Sequence, residues 1–185
     1  MKIAYIHGFN CAAKMSEKTG ILNQLGNLCL FEYENEDYPM DIYRSLQEQI
    51  QNFEPDIIVG TSLGGYWAGR MAYANGLMAV MINPSVEPHQ GLLELVGDHV
   101  NYVNAKEYTL TQDVVESYDS LTQYDPFGVV LLDQNDEIIN AETTKEQLED
   151  MFSIVTFEGG CHQFDHMEQS LPIIEKAYNT YKRSI

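Results

Sequence analysis

The chain has 185 residues, a length that suits one domain and can bury a hydrophobic core without staples. Its 28 acidic residues against 10 basic ones give a net charge of −18, a field that repels phosphate backbones and anionic bilayers, so nucleic-acid binding is disfavoured. No apolar run approaches the roughly 18 residues of a membrane-spanning helix.

The start, residues 1–6, is too short an apolar stretch for a signal peptide, and a cytoplasmic location is the expectation. Cys11, Cys29 and Cys161 are scattered and form neither a disulfide framework nor a zinc set.

Strand-like apolar runs alternate with segments of helical period. Residues 3–6 form the first strand, closed by His7-Gly8. Ile21, Leu22 and Leu25 then share a helical face, and 28–33 is the second strand. Ile42, Leu46, Ile50 and Phe53 recur at helical spacing before a third strand over 56–60. A helix over 66–74 leads to the fourth strand, 77–82. The fifth and sixth strands, 129–133 and 153–157, flank a helix over 142–151 that Asn140 is placed to cap. Met167, Leu171, Ile174, Tyr178 and Tyr181 mark a long last helix.

The strand runs are continuous rather than alternating, as strands buried on both faces should be. The order predicts an α/β architecture, an open six-stranded, mainly parallel sheet with helices on both faces. Ligands then bind at the carboxyl ends of the strands. Residues 85–126 break the alternation, with mixed helical signals and no clear strand. They read either as a small helical cap over the site or as ordinary surface helices.

Gly60-Thr61-Ser62-Leu63-Gly64-Gly65 satisfies G-x-S-x-G, with an apolar strand before it and a helix after. Such a turn presents its serine as a nucleophile and needs small neighbours, because strand and helix approach closely there. The Leu63 N–H, at the first turn of the helix, can face a developing oxyanion. A second donor, the Phe9 N–H, is expected from the loop His7-Gly8-Phe9-Asn10 after the first strand. His7 reads as an anchor of that loop, without a proton-transfer role.

The base expected is His162, on Gly159-Gly160-Cys161-His162 between the last strand and the last helix. His89 and His99 in the insertion and His166 at the final helix are weaker candidates. Chain order Ser…Asp…His places the acid after the fifth strand, where Asp136 and Asp133 compete and Glu137 is expected to point away. Loop geometry favours Asp136. Cys11, His7, Cys161 and His162 have no metal-binding spacing, and no metal or cofactor is expected. Tyr66 and Trp67 read as core and pocket wall.

These residues together resemble the small bacterial YqiA/YcfP-like esterases of the α/β-hydrolase superfamily. The resemblance runs through 6–10, the turn from Gly60 to Tyr66, Asn83-Pro84, Asn135-Asp136-Glu137 and 158–162. It implies the α/β-hydrolase fold and cleavage of acyl esters or thioesters by Ser62, Asp136 and His162, and so favours Asp136 on separate grounds. The expected partner is a small acyl ester. The charge of −18 argues mildly against a large anionic carrier such as coenzyme A. The same triad serves peptidases and amidases, and a hydrolase-fold binding protein with a vestigial site is the alternative outside enzymes.

Overall fold

The computed structural model describes residues 1–185. Its central strands are apolar runs covered on both faces. β1 (Lys2–Ile6), β3 (Ile57–Thr61), β4 (Met78–Ile82) and β7 (Gly128–Asp133) bury every residue, or every residue but the first. The edge strands β2 (Asn27–Phe31) and β8 (Ser153–Phe157) are only partly covered. The strands lie in the order β2-β1-β3-β4-β7-β8, and every pairing is parallel. All six carboxyl ends therefore open on one edge of the sheet, as expected of an α/β fold.

Successive side chains of a strand point to opposite faces, and two cores result. Ala4, Ile6 and Ile58 face one core, with Ile42 and Leu46 of α2 (Pro39–Phe53), Trp67 of α3 (Leu63–Asn75) and Leu148 of α6 (Ala141–Leu148). Ile3, Tyr5, Ile57 and Val59 face the other, with Leu22 of α1 (Glu17–Leu22) and Ile174 of α7 (Met167–Ser184). The expected cap is in place, Asn140 accepting from the Thr143 N–H at 2.9 Å. Tyr66 and Trp67 are fully buried core residues. No helix is long and apolar enough to cross a membrane.

The insertion differs from its expectation as a helical cap. It holds α4 (Pro88–Gly91) and α5 (Gln112–Glu116), but between them an antiparallel pair, β5 (Gly97–Val100) and β6 (Glu107–Leu110). Each strand has four residues, and in β6 buried and exposed positions alternate. A strand that short, covered on one face, leaves no continuous apolar run to read. Tyr108, Leu110, Val114, Val115 and Tyr118 join the core on the α3 face.

Candidate active site

Ser62 sits on the turn from β3 to α3 with φ 59° and ψ −124°. A non-glycine residue rarely holds that conformation, which costs about 1–3 kcal/mol and marks functional turns. The glycines make it possible. A Cβ on Gly60 would run into the Gly64 carbonyl, and one on Gly64 into the carbonyls of Ile6 and His7. The Ser62 N–H donates to the Ile82 carbonyl at 2.9 Å, and its own carbonyl accepts from Gly65 and Ser85 at 2.8 and 3.1 Å. Its hydroxyl caps nothing in α3. Gly8 lies directly against it, where a Cβ would stand 3.3 Å from the Ser62 Cβ.

His162 is 7 % exposed, in the loop between β8 and α7. Its Nδ1 lies 2.9 and 2.8 Å from the two carboxylate oxygens of Asp136. A carboxylate only accepts, so Nδ1–H is the donor and Nε2 is left as the basic nitrogen. The Asp136 side chain is 1 % exposed and also accepts from the N–H groups of Ile138 and Ile139, both at 2.8 Å. Four contacts on one carboxylate fix its plane and, through it, the imidazole ring.

Asp133, the competing carboxylate, has other partners. It accepts from the Cys161 N–H at 3.1 Å, the Asp165 N–H at 2.8 Å and His166 Nδ1 at 2.6 Å. Gly160 packs against this carboxylate with φ +72°, a position no Cβ could occupy. Asp133 thus anchors the loop that carries His162. Glu137 does not point away as expected: its Oε2 accepts from the His162 N–H at 2.9 Å. A loop N–H beside a buried carboxylate pair needs a partner, and Glu137 is the one within reach. The Cys161 thiol donates to Asp165 at 3.3 Å, and burial first, then that carboxylate, push it up from its usual 9.0. It is a protonated thiol at neutral pH.

The loop after β1 is tied from three sides. His7 stacks on Tyr33 with ring centroids 4.4 Å apart, and its Nε2 lies 2.7 Å from the Glu32 carboxylate. The same carboxylate accepts from the Ala13 N–H at 2.6 Å, closing the loop at both ends. Burial raises the pKa of Glu32, but hydrogen bonds from His7 and Ala13 outweigh it and hold the carboxyl below its usual 4.5. Asn10, itself at φ 54°, donates its N–H to Asn35 at 2.8 Å. The β5–β6 hairpin supplies the third side. Tyr108 donates its hydroxyl to Asn10 Oδ1 at 3.0 Å, Tyr102 its N–H to the Asn10 carbonyl at 3.2 Å, and Asn101 its amide to the Cys11 carbonyl at 2.8 Å. The Phe9 ring meets His99 and Tyr108 edge-on.

The Phe9 N–H is not engaged in this network. Leu63 opens α3, where helix N–H groups have no partner inside the helix. The structure thus brings Ser62, His162, Phe9 and Leu63 to the same carboxyl edge of the sheet. His162 and Asp136 are hydrogen-bonded, whereas the Ser62 hydroxyl is not bonded to His162. His89 pairs with Glu87 at 3.5 Å and His166 with Asp133. Sequence reasoning missed Glu137, Asn101 and Tyr108 as supports. Their signal was weak, since each holds backbone or amide groups at a distance no periodicity encodes.

A parallel sheet with helices on both faces and a strained serine at a strand-to-helix turn defines the α/β-hydrolase class. Residues 2–178 match the uncharacterised protein family UPF0227, and the chain belongs to that family. It is 26% identical over 185 residues to the UPF0227 protein YcfP of Escherichia coli, covering 96% of this chain and 98% of that protein. Among solved structures, Est1E from Butyrivibrio proteoclasticus superposes with a TM-score of 0.71 at 15% identity, over 98% of this chain and 87% of that one. The monoacylglycerol lipase of Paleococcus ferrophilus superposes with a TM-score of 0.72 at 13% identity, over 96% and 94%. At these identities the structural likeness establishes the fold.

Proposed function

We propose that the protein is a serine hydrolase that cleaves carboxylic esters or thioesters of small acyl substrates, with Ser62, His162 and Asp136 as its triad. The observation that carries this reading is the strained Ser62 at the same sheet edge as an imidazole whose Nδ1–H is held by Asp136. The fold shared with the monoacylglycerol lipase supports ester chemistry over other uses of the scaffold.

In the mechanism, Ser62 Oγ attacks the acyl carbonyl while His162 Nε2 takes its proton. The N–H groups of Leu63 and Phe9 donate to the oxyanion. Collapse expels the alcohol or thiol, which takes the proton back from His162, and leaves an acyl ester on Ser62. Water attacks that ester with His162 again as base. The acid is released and the serine proton restored, so no cofactor enters the balance.

Ser62→Ala should lower kcat on short acyl esters by roughly 10⁴-fold or more, and a fluorophosphonate should label Ser62 alone. Retained hydrolysis in that variant, or labelling of another residue, overturns the reading. A panel of esters graded by acyl length then defines the substrate.

A further inference from the structure

We propose that Asn83 is the positioning residue that sets His162 over the strand ends; the role rests on the reading of His162 as the base. Asn83 follows β4 and is 1 % exposed. Its φ is 41°, in the left-handed region that asparagine tolerates better than most residues. Its backbone N–H donates to the Leu131 carbonyl at 2.9 Å, tying the end of β4 to β7. The side chain uses both ends of its amide. Oδ1 accepts from the Asp133 N–H at 2.9 Å, and Nδ2 donates to the carbonyls of Cys161 and His162, both at 3.2 Å.

The chemistry explains why an amide stands there. The loop from Gly159 to Phe164 has three residues at positive φ, at 82°, 72° and 67°, and no regular hydrogen-bond ladder of its own. Its carbonyl at 161 accepts from the Phe164 N–H at 2.9 Å as well as from Asn83, and the carbonyl at 162 has Asn83 as its donor. The strand end itself presents a donor, the Asp133 N–H. Only a side chain with two N–H donors and an acceptor on one short, planar group meets all three. Asn83 also adjoins the serine's own anchor: it follows Ile82, whose carbonyl accepts from the Ser62 N–H. One residue therefore refers the base and the nucleophile to the same strand.

Displacing a catalytic group by about 1 Å costs about 100-fold in rate. Asn83→Ala should therefore lower kcat about 30- to 100-fold with KM within about threefold of the parent. The His162 Nδ1–H proton resonance, followed by NMR without substrate, should broaden or exchange faster with water, although the far-ultraviolet dichroism of the sheet is kept. Asn83→Asp keeps the size and the acceptor but loses both donors, and is read in the same way if Asn83→Ala does not fold. A folded variant with unchanged kcat and an unchanged Nδ1–H resonance overturns the proposal. So does failure of both variants to fold, which would make Asn83 a residue of the scaffold. If the parent protein hydrolyses no ester and Ser62 resists labelling, the hydrolase reading fails. The Nδ1–H resonance still decides whether Asn83 orients His162.

Discussion

Two loops approach Ser62, one before α1 and one before α7, and they are held in different ways. The loop carrying His162 is gripped by groups at and just beyond the ends of β4 and β7: Asp133, Asn83, Asp136 and Glu137. The loop carrying Phe9 is gripped from the side, by Glu32 and Asn35 beyond β2 and by the hairpin of the insertion. The first arrangement makes the His162 loop inseparable from the core. The second lets the insertion hold the Phe9 loop. Damage to the first should appear as lost stability together with lost activity, and damage to the second as lost activity with the fold nearly intact.

The largest effect expected is that of Asp133→Ala. It leaves three donors without their buried acceptor and should cost about 3–5 kcal/mol in urea denaturation. A loss below about 1 kcal/mol would break the contrast. Asn101→Ala removes the amide that holds the Cys11 carbonyl. It should lower kcat about tenfold with KM nearly unchanged, while stability falls by only about 1 kcal/mol. A stability loss as large as that of Asp133→Ala would erase the contrast.

Tyr108→Phe deletes one hydroxyl contact to Asn10 and should cost about 0.5–1.5 kcal/mol and a few-fold in kcat. The smallest effect concerns pH. Glu32 has a folded-state pKa below its usual 4.5. Its contribution to stability is therefore present above that value and is lost as pH falls through the folded one. Glu32→Gln should lower stability near neutrality by that contribution and flatten the profile below pH 4.5, so that variant and parent converge in acid, as thermal melts across that range would show.

The first grip was far more legible in the chain than the second. β3, β4 and β7 are buried on both faces, so they read as unbroken apolar runs, and the turns at their ends could be located from them. Asp136 was separable from Asp133 because a strand-terminal carboxylate points into the packed sheet end, while one on the following loop can turn toward another loop. The hairpin was not legible, because Gly97–Val100 and Glu107–Leu110 are four residues each with only alternate positions covered. Glu137 was misplaced for a related reason: its partner is a backbone N–H, 25 positions away, that leaves no mark on residue type. Asn83 stood out only within the Asn83-Pro84 pair of the family resemblance. Its three-way amide contact depends on where two distant loops end.

The hairpin's reach across the chain has a temporal side. Asn10 and Tyr108 are 98 positions apart. At roughly 5–20 residues per second of synthesis, the Phe9 loop waits about 5–20 s for its clasp. The histidine is translated later still, only 23 residues from the last one. A growing polypeptide on the ribosome therefore displays the Ser62 turn before it holds either the hairpin that clasps the Phe9 loop or the loop of His162.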